Sequence, residues 1–179
     1  MPKGDFVQNL QEIRKRAREH IQKGSVTNGY RANREVVIKI LNEALATELV
    51  CVLRYKRHFY MAQGIEAANA ASEFLQHATE EQGHADLISL RITQLGGEPN
   101  YSPVGLADRS HSEYVEGNGL VEMIQEDLVA ERIAIESYSD MIRYVGEDDV
   151  TTRRMLEAIL GSEEEHANDL ANLLDKMNP

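Results

Sequence analysis

Residues 81–84, Glu81-Gln82-Gly83-His84, decide how this chain is read, together with their echo Glu163-Glu164-Glu165-His166. Each is a Glu-x-x-His unit inside a long helical pattern. Residues three apart share one helix face, so each unit offers a carboxylate and an imidazole side by side. Two lone glutamates stand at matching distances upstream: Glu48 lies 33 residues before Glu81, and Glu131 lies 32 before Glu163. The offsets from Glu48 to Glu131, Glu81 to Glu163 and His84 to His166 are 83, 82 and 82. The pattern therefore repeats as two helix pairs, and a pseudo-two-fold arrangement brings both sets to one level of a core.

Outward from these units, apolar residues recur at helical spacing. A first long helix is expected over about 34–63, capped by Asn33 and stopped at Gly64, with the stripe Leu41, Leu45, Glu48, Val52, Tyr55, Phe59. The second, about 66–95, carries Phe74, Ala78, Glu81, His84 or Ala85, Ile88, Ile92 and Leu95, and ends at Gly96-Gly97. Gly83 inside it costs up to about 1 kcal/mol relative to Ala; a close backbone approach near the site would account for it. The third, about 119–145, carries Ile124, Leu128, Glu131, Ile135, Tyr138 and Ile142 and ends at Gly146. Asp148 or Asp149 caps the fourth, about 150–177, which turns Leu156, Ile159 or Leu160, Glu163, His166 or Ala167, Leu170 and Leu174 inward. A long polar link, residues 96–118 with Pro99, Pro103, Gly105 and Gly117, joins the second helix to the third and is long enough to cross the bundle. Before the bundle, Phe6, Leu10, Ile13, Ala17 and Ile21 mark a short amphipathic helix over 5–22, followed by a connector rich in turn formers. The expected organisation is an all-α chain with a basic amphipathic extension, residues 1–32, and a four-helix bundle, residues 33–179.

The charge is uneven. Residues 1–35 hold eight Lys or Arg against four Asp or Glu, whereas residues 36–179 hold eleven against twenty-six. An acidic body attracts cations and repels nucleic acid, so a nucleic-acid contact would have to use the basic arm, through Arg14, Lys15, Arg16 and Arg18. The alternative for this arm is packing on the bundle or on a neighbour. Cys51 is the single cysteine, which excludes an intrachain disulfide framework and a cysteine zinc cluster; it reads as a small buried hydrophobe. No secretory apolar region and no apolar run long enough for a membrane span is found, so a cytoplasmic location is expected.

A glutamate in the middle of an apolar stripe is costly to bury as an unpaired anion. It needs a cation, a hydrogen-bond network or a raised pKa. Four such carboxylates are offset by two divalent ions. Carboxylates are hard and can bridge, and their combination with imidazole favours iron or manganese. Bundles in which two helices give one Glu each and two give Glu-x-x-His hold such metal pairs. The expected ligands are Glu48, Glu81, His84, Glu131, Glu163 and His166.

On Thr47-Glu48-Leu49-Val50, Glu81-x-x-His84, Ala130-Glu131 and Glu163-x-x-His166, residues 33–177 resemble the ferritin-like superfamily and, within it, bacterioferritin. The resemblance implies a ferritin-like up-down four-helix bundle assembled as a hollow homo-oligomeric shell. It implies Glu81 and Glu163 as bridging ligands, with Glu48 and His84 completing one site and Glu131 and His166 the other. Tyr55 matches a tyrosine that supplies an electron near the di-iron centre. His77 and Glu80 resemble a His/Asp pair that binds iron on the inner cavity surface, with Glu in place of Asp. The haem-ligating methionine falls at Gln82, so haem is not expected, and Asp169 takes the place of a tryptophan. Only 13 residues follow His166, too few for the fifth helix of 24-subunit ferritins. That length is similar to the Dps-like miniferritins, and a 12-mer is expected over a 24-mer; the cysteine pair usual in related Dps-like proteins is reduced here to Cys51. The implied activity is oxidation of Fe(II) by O2 or H2O2 at a centre of two iron ions per subunit, or manganese, with storage of ferric mineral. Two alternatives stand beside it. One is a non-storage di-metal peroxidase or catalase-like enzyme. The other is a Dps-like particle that protects DNA through residues 1–35.

Overall fold

The computed structural model describes residues 6–64 and 67–177, all helix, turn or loop. Its α-helices are α1 (Leu10–Arg16), α2 (Arg34–Met61), α3 (Ala68–Gln94), the single turn α4 (Leu106–Arg109), α5 (Leu120–Val145) and α6 (Val150–Met177), with a 3-10 turn at Ile21–Lys23. The four long helices are those expected, within about two residues at each described end. Local chemistry sets the limits. Asn33 accepts from the Val36 amide and opens α2, a cap of about 1 kcal/mol. Gly146, at φ +51°, closes α5 in the left-handed region that glycine tolerates. Of the two candidate caps for α6, Asp149 is used: its carboxylate accepts from the Thr152 amide and hydroxyl. Residue 5 of the first expected helix and residue 66 of the second lie outside the described residues.

Two apolar layers show how the helices run. One layer joins Leu41 and Leu45 of α2, Ile88 and Ile92 of α3, Tyr138 and Met141 of α5, and Leu156 and Ile159 of α6. The other joins Cys51 and Tyr55, Phe74 and Ala78, Met123 and Ile124, and Leu170 and Leu173. Early residues of α2 thus lie beside late residues of α3 and α5 and early residues of α6. α2 and α3 are antiparallel, α5 and α6 are antiparallel, and α3 and α5 run the same way. The expected long crossover makes this possible by carrying the chain from one end of the bundle to the other. It is pinned along α2: Asn42 bonds the Glu98 carbonyl and the Asn100 amide, Thr47 the His111 amide, and Arg54 and Arg57 the Glu113 and Glu116 carbonyls. Gly117, at φ +65°, leaves no room for a Cβ, which would come within 2.8 Å of the Met123 nitrogen where the crossover enters α5.

A buried Arg–Asp pair ties the two helix pairs together at each end. Arg54 of α2 donates to Asp127 of α5 at 2.8 Å, and Asp127 also meets His58 at 2.7 Å. Arg91 of α3 grips both oxygens of Asp149 at 2.8 and 2.9 Å, and Tyr30 bonds the same carboxylate at 2.9 Å.

Three sequence expectations need correction. The helix expected over 5–22 is limited to Leu10–Arg16, followed by a turn and by His20 at φ +54°. Its apolar stripe stays largely uncovered by the described residues: Phe6 and Ile21 are 86% and 76% exposed. So short a helix without packing is marginal. Within α2, Val52 and Phe59 are only half-buried, while Cys51, Arg54 and His58 take the inner positions. Gly83 faces open space, with no atom within 4 Å of where a Cβ would stand, so close approach does not explain it.

Candidate metal centre

Between the two apolar layers lies one polar level. Glu48 comes from α2, Glu81 and His84 from α3, Glu131 from α5, and Glu163 and His166 from α6; all six are buried. They form two overlapping groups whose ligand-type atoms lie within 4.8 Å of one another: Glu48, Glu81, His84 and Glu163, and then Glu81, Glu131, Glu163 and His166. Glu81 and Glu163 belong to both. His84 Nδ1 lies 3.3, 3.1 and 3.1 Å from oxygens of Glu48, Glu81 and Glu163. His166 Nδ1 lies 3.5, 3.9 and 3.6 Å from oxygens of Glu81, Glu131 and Glu163. The structure brings together all six residues singled out from the sequence.

The fit of this group to metal ions is tested by its unpaired atoms. Glu48 Oε2, Glu81 Oε1, Glu131 Oε2, both Glu163 oxygens and His166 Nδ1 are buried and have no hydrogen-bond partner. Buried polar atoms are rarely left so, and here they converge on one small space. The donor set of carboxylate oxygens and imidazole nitrogens suits two first-row divalent ions.

Without cations, protons would balance the charge. Burial, then the charge of Glu81, pushes Glu48 up to about 8. Burial and the charges of Glu81 and Glu163 push Glu131 well up too. Burial opposes charge on the imidazoles, but the carboxylates crowded against them outweigh it and raise His84 to about 12 and His166 to about 11. Burial also opposes charge on Glu81 and Glu163, yet the adjacent His166 and His84 rings hold both below the usual carboxylate range. In the absence of cations Glu48, Glu131 and both imidazoles are thus all pulled toward their protonated forms.

Behind the ligands stand two tyrosines in crossed positions. Tyr55 of α2 donates to Glu131 of α5, and Tyr138 of α5 donates to Glu48 of α2. Tyr55 was expected at the site; Tyr138 was placed only in an apolar stripe. The signal was present, because Tyr138 follows Tyr55 by 83 residues, the offset that relates Glu48 to Glu131. Burial and the adjacent carboxylate push both phenols well up, so both stay protonated donors.

His77 and Glu80 do not meet as a pair. Glu80 accepts from His166 Nε2 at 2.7 Å. That bond orients the ring so that Nδ1 faces the carboxylates, as carboxylate partners of metal-bound histidines do. His77 is fully buried, stacks on His166 with ring centres 4.1 Å apart, and places Nδ1 3.2 Å from the Tyr55 hydroxyl. Burial, then the charge on His166, lowers it to about 4, so its ring is neutral.

Comparison with known proteins agrees with this architecture. The model of the ferritin-like domain matches residues 38–178. The bacterioferritin of Rhodobacter capsulatus is 31% identical over 150 residues, which cover 80% of this chain and 87% of that protein. Among solved structures, the bacterioferritin-related dodecameric thioferritin of Bacteroides fragilis superposes with a TM-score of 0.79 at 29% identity, covering 83% of this chain and 89% of that one. The bacterioferritin of Desulfovibrio desulfuricans, which has a diiron site, gives a TM-score of 0.72 at 27% identity, with 81% of each chain covered. With its four-helix bundle, its repeated Glu-x-x-His and these relatives, the chain belongs to the ferritin-like family and is of the bacterioferritin type.

Proposed function

We propose that the protein oxidises Fe(II) at the centre described above and stores the ferric product inside a homo-oligomeric shell, with twelve subunits favoured. The observation that carries this reading is the convergence of four buried carboxylates and two imidazole nitrogens, most of them unpartnered, on one level of the bundle. Fe(II) is the substrate. Two ferrous ions bound together supply two electrons to dioxygen or peroxide.

The chain's own residues do the rest. Glu81 and Glu163 would bridge, Glu48 with His84 would complete one position, and Glu131 with His166 the other. Tyr138 and Tyr55 fix the outer oxygens of Glu48 and Glu131, so that each carboxylate turns its free oxygen inward. Tyr55 would also supply an electron to the bound iron, the role its resemblance to the bacterioferritin tyrosine implies. Glu80 holds the His166 ring in register. The two apolar layers keep bulk water from the level between them, which strengthens each charge interaction there.

The shell is supported by apolar surface that one chain leaves bare: Leu53, Tyr60, Met61, Leu90, Val129 and Tyr144 are each at least half exposed. The dodecameric thioferritin is a relative at comparable length. Phe6, Val7 and Leu10 fit packing against a neighbouring subunit better than a free nucleic-acid arm. Salt-sensitive DNA retardation that disappears on deleting residues 1–32 would reverse that assignment. Manganese in place of iron, and a non-storage peroxidase or catalase-like role, remain the competitors.

The test is aerobic Fe(II) titration of the metal-free protein, followed by size-exclusion chromatography with iron measured across the peak. Iron far beyond two per chain, eluting with a large particle, is the expected result. Uptake that stops at two per chain on a small oligomer would mean a di-metal enzyme without storage.

A further inference from the structure

We propose that Glu73, His77 and Asp169 form a third divalent-cation site, beside the His166 half of the centre and separate from its six ligands. Glu73 and His77 are one turn apart on α3, and Asp169 faces them from α6. His77 Nε2 lies 3.8 Å from Glu73 Oε2 and 3.8 Å from Asp169 Oδ2. The three ligand-type atoms lie within 4.8 Å of one another. Donors about 2.1 Å from one ion sit about 3.0–3.4 Å apart, so the two partly exposed carboxylates have to draw in on His77 Nε2 to close the group on a cation.

His77 supplies the observation that points to a ligand. The residue is wholly buried, and its Nε2 is aimed between the two carboxylates with no hydrogen-bond partner. Tyr55 gives its single proton to Glu131, so its oxygen accepts from His77 Nδ1–H. With Nδ1 turned to Tyr55, Nε2 is the ring atom left to meet a ligand, and it has none within the protein.

The group is open on one side. The Glu73 and Asp169 side chains are 34% and 49% exposed, while His77 closes the inner end and stacks on His166. An ion arriving from solvent would meet the carboxylates first and would be one imidazole away from the centre. Glu80 takes no part, being held by His166. The internal repeat offers no counterpart: the offset of 82 residues relates Glu73 to Met155, His77 to Ile159 and Asp169 to Leu87. One carboxylate pair and one imidazole suit a first-row transition ion. Its natural identity as Fe(II) rests on the function proposed above; the site itself does not.

The experiment is anaerobic equilibrium dialysis of the whole assembled protein against Co(II), with cobalt counted per chain. The variant E73Q/D169N changes only partly exposed side chains and keeps their size. The wild type is expected to hold about one Co(II) per chain more than this variant, about three against two. Equal counts in the two proteins would overturn the site. The variant E163Q separates the two readings. It should lose ions of the centre and keep the one lost by E73Q/D169N. If E163Q leaves the count unchanged while E73Q/D169N lowers it by one, the third site stands and the two-metal centre falls. In crystals grown with Co(II), anomalous scattering should place an ion against His77 Nε2 in the wild type and not in E73Q/D169N.

Discussion

His84 and His166 are related by the internal repeat and lie 6.1 Å apart, ring to ring. Each turns Nδ1 to the same two shared glutamates, but only one has support behind it. His166 is held by Glu80 at Nε2 and by the stacked ring of His77. His84 makes no hydrogen bond through Nε2 among the described residues, and the repeat counterparts of Glu80 and His77 are Ser162 and Ile159. The two halves therefore share their ligands and differ immediately outside them. Symmetry relates the six ligand-type residues; the asymmetry outside them makes the His166 ring the more firmly held of the two.

The largest expected effect comes from removing what the halves share. Glu163→Ala should lower the initial rate of Fe(II) oxidation by more than about 100-fold, with helical circular dichroism intact; an unchanged stopped-flow rate would discard the centre. Glu131→Ala and His84→Ala each strike one half and should likewise abolish the rapid phase.

The next effect separates the halves. Glu80→Ala should weaken metal binding at the His166 position about 10- to 100-fold, whereas Ser162→Ala at the equivalent place should leave both positions alone. Anaerobic Co(II) titration measures both, and equal losses would remove the asymmetry.

Acidity offers a third test. Glu48, Glu131, His84 and His166 all have pKa values raised on folding. A raised value favours the fold below the unfolded pKa, and the contribution falls as pH climbs toward the folded one. Glu81 and Glu163, which are lowered, act oppositely, and only at acid pH. The metal-free protein should therefore melt at progressively lower temperature from pH 6 through 8, where Glu48 titrates, and beyond. Metal loading should flatten that slope and release protons at neutral pH, which a weakly buffered dye assay detects.

The smallest effect tests the bare side of the His84 half. Gly83 precedes His84 on an open helix face, so Gly83→Ala should raise thermal stability by up to about 1 kcal/mol. A loss would show that this face meets a neighbouring subunit.

The helices and six ligand-type residues were legible because each signal is local or periodic: caps at Asn33 and Asp149, a stop at Gly146, and glutamates in phase with apolar stripes. Tyr138 is legible through the repeat, although a tyrosine in an apolar stripe equally suits a core. The Arg54–Asp127–His58 cluster was not legible, since its partners are 69 to 73 residues apart and on different helices. It explains why polar residues displaced Val52 and Phe59 from the inner face of α2. The short α1 shows the opposite failure: its apolar spacing is sound, but the described residues leave it largely uncovered.

The antiparallel pairs α2–α3 and α5–α6, joined by the pinned crossover, also bear on how the chain comes to be folded. Each hairpin forms from near neighbours in sequence, the kind of contact that forms early and fast. Each carries three of the four residues of its own group of ligand-type side chains and borrows the fourth, Glu163 or Glu81, from the other hairpin. Neither can finish its site alone. Docking of the hairpins completes both groups, and an ion held between them would work as a latch that makes the docked state hard to reopen.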